Sequence, residues 1–328
     1  MPTKRHHYVP EAYLRGFVAN DGCVTVFRKE SPENPFRASP SNIGLEQYYY
    51  AYTKEDDTRD TDSLEQLFSQ VESEWPSTVA RLAKREVGQD LEEALLSFAC
   101  LQRARVPALR DAYELMRGDS VGETARLLQR MGKFPEAPPG AEDILDRIEI
   151  SINPESSIDA IAIAMKGTID RIYPMLGFRI VHNETPQDFI TSDNPVAWFT
   201  PYKNEDRTKP YEMRPNAPLE FLFPISPRMI LVGRDAWREE YLRFGLLHGH
   251  SRNVEVVKRA NRMSAKFGYQ ALFSKDDSPA QLAVKYAGIS PVAQVTSFPN
   301  ADGRGQLVAV HMEFSPRRTK PKWRSESV

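Results

Sequence analysis

Apolar residues recur every three or four positions at Leu64, Leu67, Phe68, Val71 and Trp75, and continue at Val79 and Leu82. That spacing marks one face of a helix, so a helix is expected from Ser63, kinked or divided at Pro76. The pattern returns at Leu91, Leu95, Phe98 and Leu101. There Asp90 and Glu93 read as a capping box, and the helix is expected to run toward Met116 with a bend at Pro107. Further helices are expected near 120–131 and 141–148. Another carries Ile158, Ile161, Met165, Ile169 and Ile172, and one more spans Asn253 to Phe267. Pro10 followed by Glu11 opens a short helix near the start of the chain.

Shorter apolar runs read as strands. Cys23–Phe27 and Gln47–Tyr52 are expected to pair as the start of a sheet. Gly177–His182 and Asp188–Thr191 flank an Asn183-Glu184 turn, Leu219–Phe223 and Met229–Val232 form another pair, and Leu307–Phe314 is a late strand. Their connections are short, which points to antiparallel pairing rather than βαβ crossovers. The fold class expected is α+β, helix-rich, with an antiparallel or mixed sheet formed mainly by the second half and joined by the opening strands. A single domain is expected over 1–315, with the Pro-rich stretch 135–139 marking where a sub-division near 135–140 would fall. The basic tail 316–328 is expected to be disordered. No internal repeat is visible.

Composition narrows the class. The chain has 328 residues, 41% of them hydrophobic, enough for a substantial core without staples. Its 43 Lys and Arg nearly balance 45 Asp and Glu, so whole-chain charge argues for no polyanionic partner. Two cysteines, Cys23 and Cys100, form no CxxC pair and fit a reducing compartment. No apolar run has the length of a membrane span, and the first residues lack the apolar core of a signal peptide. A cytoplasmic protein without a membrane partner is expected.

The sequence holds no GxxxxGK[ST] loop, GxGxxG turn, HExxH helix or GxSxG elbow. What remains is His6-His7 ahead of Tyr8-Val9-Pro10, and Thr191-Ser192-Asp193-Asn194-Pro195 after a strand. Adjacent side chains diverge, so one histidine is expected to be functional and the other structural. Both also fit a plainer reading, one histidine bonded to backbone and one solvated. Asp193 reads as a rigid carboxylate that orients a histidine, ligates an ion or acts as a base, or simply as an Asx turn. Arg103, Arg110 and Arg117 fall seven apart and are expected to share a helix face, binding phosphate or pairing with the acidic loop 54–62. His248 and His250, two apart around Gly249, make a weaker alternative site.

His7-Tyr8-Val9-Pro10 followed by Tyr13-Leu14-Arg15 and Phe17 resembles the opening of the bacterial family catalogued as domain of unknown function 4238. Similarity continues at Leu101-Gln102-Arg103, Phe189 to Pro195, and Phe223-Pro224-Ile225-Ser226-Pro227. It extends to the helix bearing Asn261 before Ala271-Leu272-Phe273-Ser274, so it spans about residues 5–275. The resemblance brings no activity with it. It singles out polar residues in apolar segments, which are expected to meet at one site because burying them unpaired is costly.

The function expected is hydrolysis, most specifically by a divalent-metal-dependent nuclease or phosphodiesterase in a bacterial toxin or phage-defence setting. His7, Asp193 and Asn261 would be catalytic, and Arg15, Gln102 and Arg103 would bind a substrate such as nucleic acid. His6, His7 and Asp193 would hold the ion, Mg, Mn or Zn. The alternative is a non-enzymatic module that binds a small ligand, nucleic acid or protein through a buried polar site. The two part on whether His7, Asp193 and Asn261 converge in an open cleft.

Overall fold

Alternate residues of a strand face opposite sides of a sheet, and here both sides of the central sheet are apolar. The computed structural model describes residues 5–317 except 55, 134–139, 142, 149, 151, 154, 156–157 and 300–305. Among these, the strands are β1 (Arg5–His7), β2 (Val24–Arg28), β3 (Phe36–Ala38), β4 (Leu45–Gln47), β5 (Tyr52–Thr53), β6 (Arg59–Asp60), β7 (Gly177–Asn183), β8 (Thr191–Ser192), β9 (Ala197–Phe199), β10 (Glu220–Ser226), β11 (Met229–Arg234), β12 (Leu247–Ser251), β13 (Ala271–Ser274), β14 (Ser290–Pro299) and β15 (Gln306–Ser315). The helices are α1 (Glu11–Leu14), α2 (Ser63–Ser73), α3 (Trp75–Ala83), α4 (Gln89–Ala104), α5 (Pro107–Arg130), α6 (Ile144–Arg147), α7 (Asp159–Gly167), α8 (Arg238–Phe244), α9 (Val254–Phe267) and α10 (Ala280–Lys285). The class is α+β, as expected.

The central sheet runs β12-β7-β11-β10-β9, antiparallel except for the β12–β7 pair. Phe178, Ile180, Phe221, Phe223 and Leu231 pack with Tyr13, Trp75, Leu95 and Phe98 of α1, α3 and α4. Leu222, Ile230 and Val232 point the other way, against Val257, Met263 and Phe267 of α9. The sheet is therefore a middle layer between two helical layers, and its strands are apolar at consecutive positions for that reason. A second sheet, β3-β2-β13-β8, joins the opening strands to later ones. Buried Tyr13 ties α1 to both sheets. Its hydroxyl donates to the Pro224 carbonyl of β10 at 2.7 Å and lies 2.6 Å from Thr191 Oγ1 of β8.

Several expected details differ. β2 lies between β3 and β13 and does not pair with Gln47–Tyr52, while Leu45–Gln47 pairs with Arg5–His7. β7 and β8 belong to different sheets. Asn183 turns the chain between them, its side chain donating to Gln187 O and accepting from the Thr185 N–H. The capping box does not form: α4 starts at Gln89, and Asp90 pairs with Arg81 at 2.6 Å. The helices expected on either side of residue 118 are one helix, α5. Gly118 suits its middle because a Cβ there would lie 2.4 Å from the Ile150 carbonyl oxygen. β14, paired along its length with β15, was not anticipated. The stretch 135–139 and residues 318–328 of the tail lie outside the described residues. Among the described residues no helix is long and apolar enough to cross a membrane.

Candidate functional site

Strand alternation separates the two N-terminal histidines. β1 pairs with β4, and His6 turns inward with no exposure. Its Nδ1 accepts the Tyr50 N–H at 2.9 Å, and its ring stacks on that of Tyr50. His6 thereby fixes the turn after β4, where Tyr48 takes a left-handed backbone (φ 55°). His7 is half-buried, and its Nε2 is shielded without a hydrogen-bond partner among the described residues. Burial holds the His7 imidazole below its ordinary value, against the nearby charges of Glu11 and Glu72, so the ring is neutral near pH 7. Gly44 anchors the segment by accepting the N–H groups of Tyr8 and Val9 at 2.8 and 3.0 Å. Its φ of +64° and the 2.9 Å that would separate a Cβ from Val9 Cβ require glycine.

Arg105 lies behind this motif. Val106 precedes Pro107 and is extended, which ends α4 and leaves Arg105 as its last cap. The Arg105 side chain is 1% exposed and pairs with Glu72 Oε1 at 2.5 Å. Gln102 connects it to the motif, with Oε1 facing Arg105 Nη2 at 3.4 Å and Nε2 donating to the Tyr8 carbonyl at 3.1 Å. Glu65, seven residues before Glu72 on the same face of α2, has a buried oxygen without a partner among the described residues. Burial first, and the Glu72 charge second, push the Glu65 carboxyl up to about 7 against the pull of Arg105.

A small cavity, partly open to solvent, adjoins Arg105. Tyr49, Tyr50, Ala104, Arg110 and the start of α7 complete its walls. Arg110 donates to the Tyr49 carbonyl and to Glu114, and its guanidinium lies over the Tyr49 ring. Two buried donors here, Tyr49 Oη and Arg105 Nε, have no acceptor among the described residues, although the Arg110 guanidinium bears on the Tyr49 hydroxyl.

Asp193 and Asn261 serve the backbone. The Asp193 oxygens accept the N–H groups of Tyr269 and Gln270, each at 2.7 Å, in a site with no exposure. Burial raises the Asp193 pKa, and those N–H groups and the Lys29 ammonium pull it back. Burial in turn pushes Lys29 down to about 7 against the Asp193 charge. Asn261 accepts the Ile190 N–H at 3.0 Å and donates to the Asp188 carbonyl at 2.9 Å, stapling α9 to the chain ahead of β8.

Residues 5–278 match the family described as "Protein of unknown function (DUF4238)". The chain belongs to this family. No curated protein and no solved structure gives a match.

The DUF4238 motif residues are thus shared among three places. His7 and Gln102 meet beside Arg105. Asp193 and Asn261 hold β8 and its approach. Arg103 is 5% exposed and lies over the rings of Tyr211, at 3.9 Å, and Trp198, at 5.3 Å, with Nε and Nη1 unpartnered among the described residues. Arg15 is 69% exposed and pairs with Glu11. None of His7, Arg103, Asp193 and Asn261 lines the cavity. The expected arginine stripe is broken by the α4–α5 junction, so Arg103 and Arg110 face different surroundings. Arg110 pairs with Glu114, and Arg117 reaches Asp159 at 3.9 Å. Among the described residues no three His, Cys, Asp or Glu side chains form a group that would hold a metal ion. Sequence reasoning missed Glu65, Glu72, Arg105, Tyr49 and Tyr50. The available signal was the Arg105-Val106-Pro107 step, which ends a helix and redirects its last side chain.

Proposed function

We propose that the protein binds an anionic group, the phosphate or carboxylate of a larger molecule, in the cavity between the Tyr49–Tyr50 turn, the α4–α5 junction and α7. The orphaned donors Tyr49 Oη and Arg105 Nε carry this reading. A buried donor left without an acceptor costs about 1–3 kcal/mol, and the oxygens of an anion are the acceptors such donors lack. The cavity is open on one side, which leaves the rest of the molecule outside. The terminal phosphate of a nucleotide or nucleic acid fits that description. Calorimetry and thermal melting with inorganic phosphate, mononucleotides, and oligonucleotides with and without a 5′-phosphate test it. Phosphorylated compounds are expected to raise Tm in the wild type and much less in Tyr49→Phe, whose ligand-free melting is no lower than the wild type's because it loses the unsatisfied hydroxyl. No shift from any compound, or an undiminished shift in the variant, rejects the reading.

Hydrolysis at His7 and Glu65, on the other side of Arg105 from the cavity walls, is a second reading, favoured by the opposite behaviour of these two groups. Neutral His7 has a bare Nε2 suited to a base, and Glu65 stays partly protonated near pH 7, as an acid requires. A phosphodiesterase assay of wild type against His7→Gln, with and without Mg2+, Mn2+ or Zn2+, decides it. Activity that survives in His7→Gln excludes His7 as the base. Asp193 and Asn261 add nothing to this reading, because their side chains are spent on backbone groups.

A further inference from the structure

Two arginines at the end of α4 are buried under opposite conditions. Arg105 has the carboxylate of Glu72 against it. Arg103 is buried as deeply but has no counter-charge: among the described residues no carboxylate pairs with it, and the one titratable group that bears on it is the Tyr211 phenol. Its guanidinium lies over two rings, those of Tyr211 and Trp198, which meet edge to face with centres 4.7 Å apart. That aromatic wall is fixed in place. The Tyr211 hydroxyl accepts from Asn194 Nδ2 at 2.7 Å, and the Tyr211 N–H donates to the Trp198 carbonyl at 3.0 Å. Of the guanidinium nitrogens, Nε and Nη1 are shut off from water without an acceptor among the described residues, which leaves Nη2, also unbonded, as the one that reaches solvent. Nη2 belongs to both two-point edges of a guanidinium, with Nε as its companion on one and Nη1 on the other. An oxyanion that arrives at Nη2 therefore finds a second N–H beside it.

We infer that Arg103 anchors a binding site for the carboxylate of a small molecule, with Tyr211 and Trp198 as its aromatic wall. The Tyr211 ring covers the guanidinium at 3.9 Å, so the ligand approaches in the guanidinium plane, where a flat carboxylate matches the fork. Charge selects the class. No second cation bears on Arg103, so one negative charge neutralises it, whereas a phosphate dianion would leave excess charge buried. The slight exposure of Arg103 admits the end of a small molecule and not the backbone of a polymer. A buried charge that the fold leaves uncompensated weakens the ligand-free protein, and a carboxylate supplies the missing acceptor and the counter-charge together. Arg103 is not among the walls of the Arg105 cavity, and this site does not depend on that one.

The test follows the Arg103 Nε–H by nuclear magnetic resonance of the full chain labelled at arginine, while acetate, benzoate and inorganic phosphate are titrated separately at constant ionic strength. The signal is assigned by its absence from Arg103→Met, or from Arg103→Lys should the first variant fail to fold. A carboxylate is expected to shift the signal saturably and to raise Tm, in Tyr49→Phe as much as in the wild type. Arg103→Met is expected to gain no Tm from it, and Arg103→Lys, which keeps the charge but not the fork, to bind at least about tenfold more weakly. A signal that neither carboxylate moves, an equal rise in Tm in Arg103→Met, or a preference for phosphate over both carboxylates overturns the site.

Discussion

Each Asp193 oxygen receives one backbone N–H, so an Asn in its place would turn an amide donor toward one of them. Asp193→Asn is therefore expected to lose about 1–3 kcal/mol in urea unfolding, whatever its activity. Unaltered stability would free Asp193 for chemistry again. Arg103 presents the opposite case. Its buried charge has two aromatic faces and no acceptor among the described residues. Removing a buried charge for an apolar side chain is neutral or stabilising by about 1–4 kcal/mol, against about 2 kcal/mol or less for lost cation–π contacts. Arg103→Met is expected to melt no lower than the wild type, and a clear fall in Tm would show that the guanidinium has a partner. The adjacent histidines should also differ. His6→Ala removes the acceptor for Tyr50 and a fully buried ring, so it is expected to destabilise far more than His7→Ala in parallel melting curves.

At the scale of elements, α2 offers the sharpest pH dependence. Glu65 is raised from 4.5 to about 7 in the folded state, so between those pH values the native chain holds the extra proton. Stability from this group therefore falls as pH rises from about 4.5 through about 7 and is level beyond. Glu65→Gln resembles the protonated form. It is expected to match the wild type at pH 4.5 and to melt progressively higher than it up to pH 8; a pH-independent difference excludes Glu65 as the source. The helix itself was legible, because Leu64, Phe68 and Val71 declare a period of 3.6, as do Leu91, Leu95 and Phe98 in α4 and Val257 and Met263 in α9. Strand partners were not. Leu272 faces Phe27 on one side and Ser192 on the other, and no local pattern reports pairings that distant. The site divides in the same way. His7 and Gln102 stood out as polar residues in apolar segments. Glu65, Glu72 and Arg105 look like ordinary helix-surface charges until α2 packs against the end of α4, which buries Arg105 and half-buries the two glutamates.

Across the whole molecule, the matched region stops at residue 278 but the packing does not. Ala283 and Tyr286, around α10, fill a cluster with Phe27, Ile190, Ala265 and Leu272, all inside that region. Val292 of β14 packs with Val106, Ala108 and Tyr269. Phe314 of β15 meets the edge of Phe267, their ring centres 5.1 Å apart. Polar contacts follow the same route: buried Lys29 donates to the Ile289 carbonyl and Ser290 Oγ, and Ser290 Oγ donates to the Tyr269 carbonyl at 3.0 Å. A chain ended after residue 278 would leave the Lys29 ammonium buried without these acceptors, beside the same Asp193 that clamps Tyr269 and Gln270. It would also expose apolar surface worth about 1.5–3 kcal/mol for each large side chain uncovered. Several such losses approach the 5–15 kcal/mol that holds a typical domain together. Fragment 1–278 is therefore expected to be unfolded or to melt far below the full chain, as followed by circular dichroism. Adding Lys29→Met to the fragment should recover part of the loss, because it removes the stranded charge. A fragment that melts with the full chain would show instead that α10 and the β14–β15 hairpin are an appendage to a core complete without them.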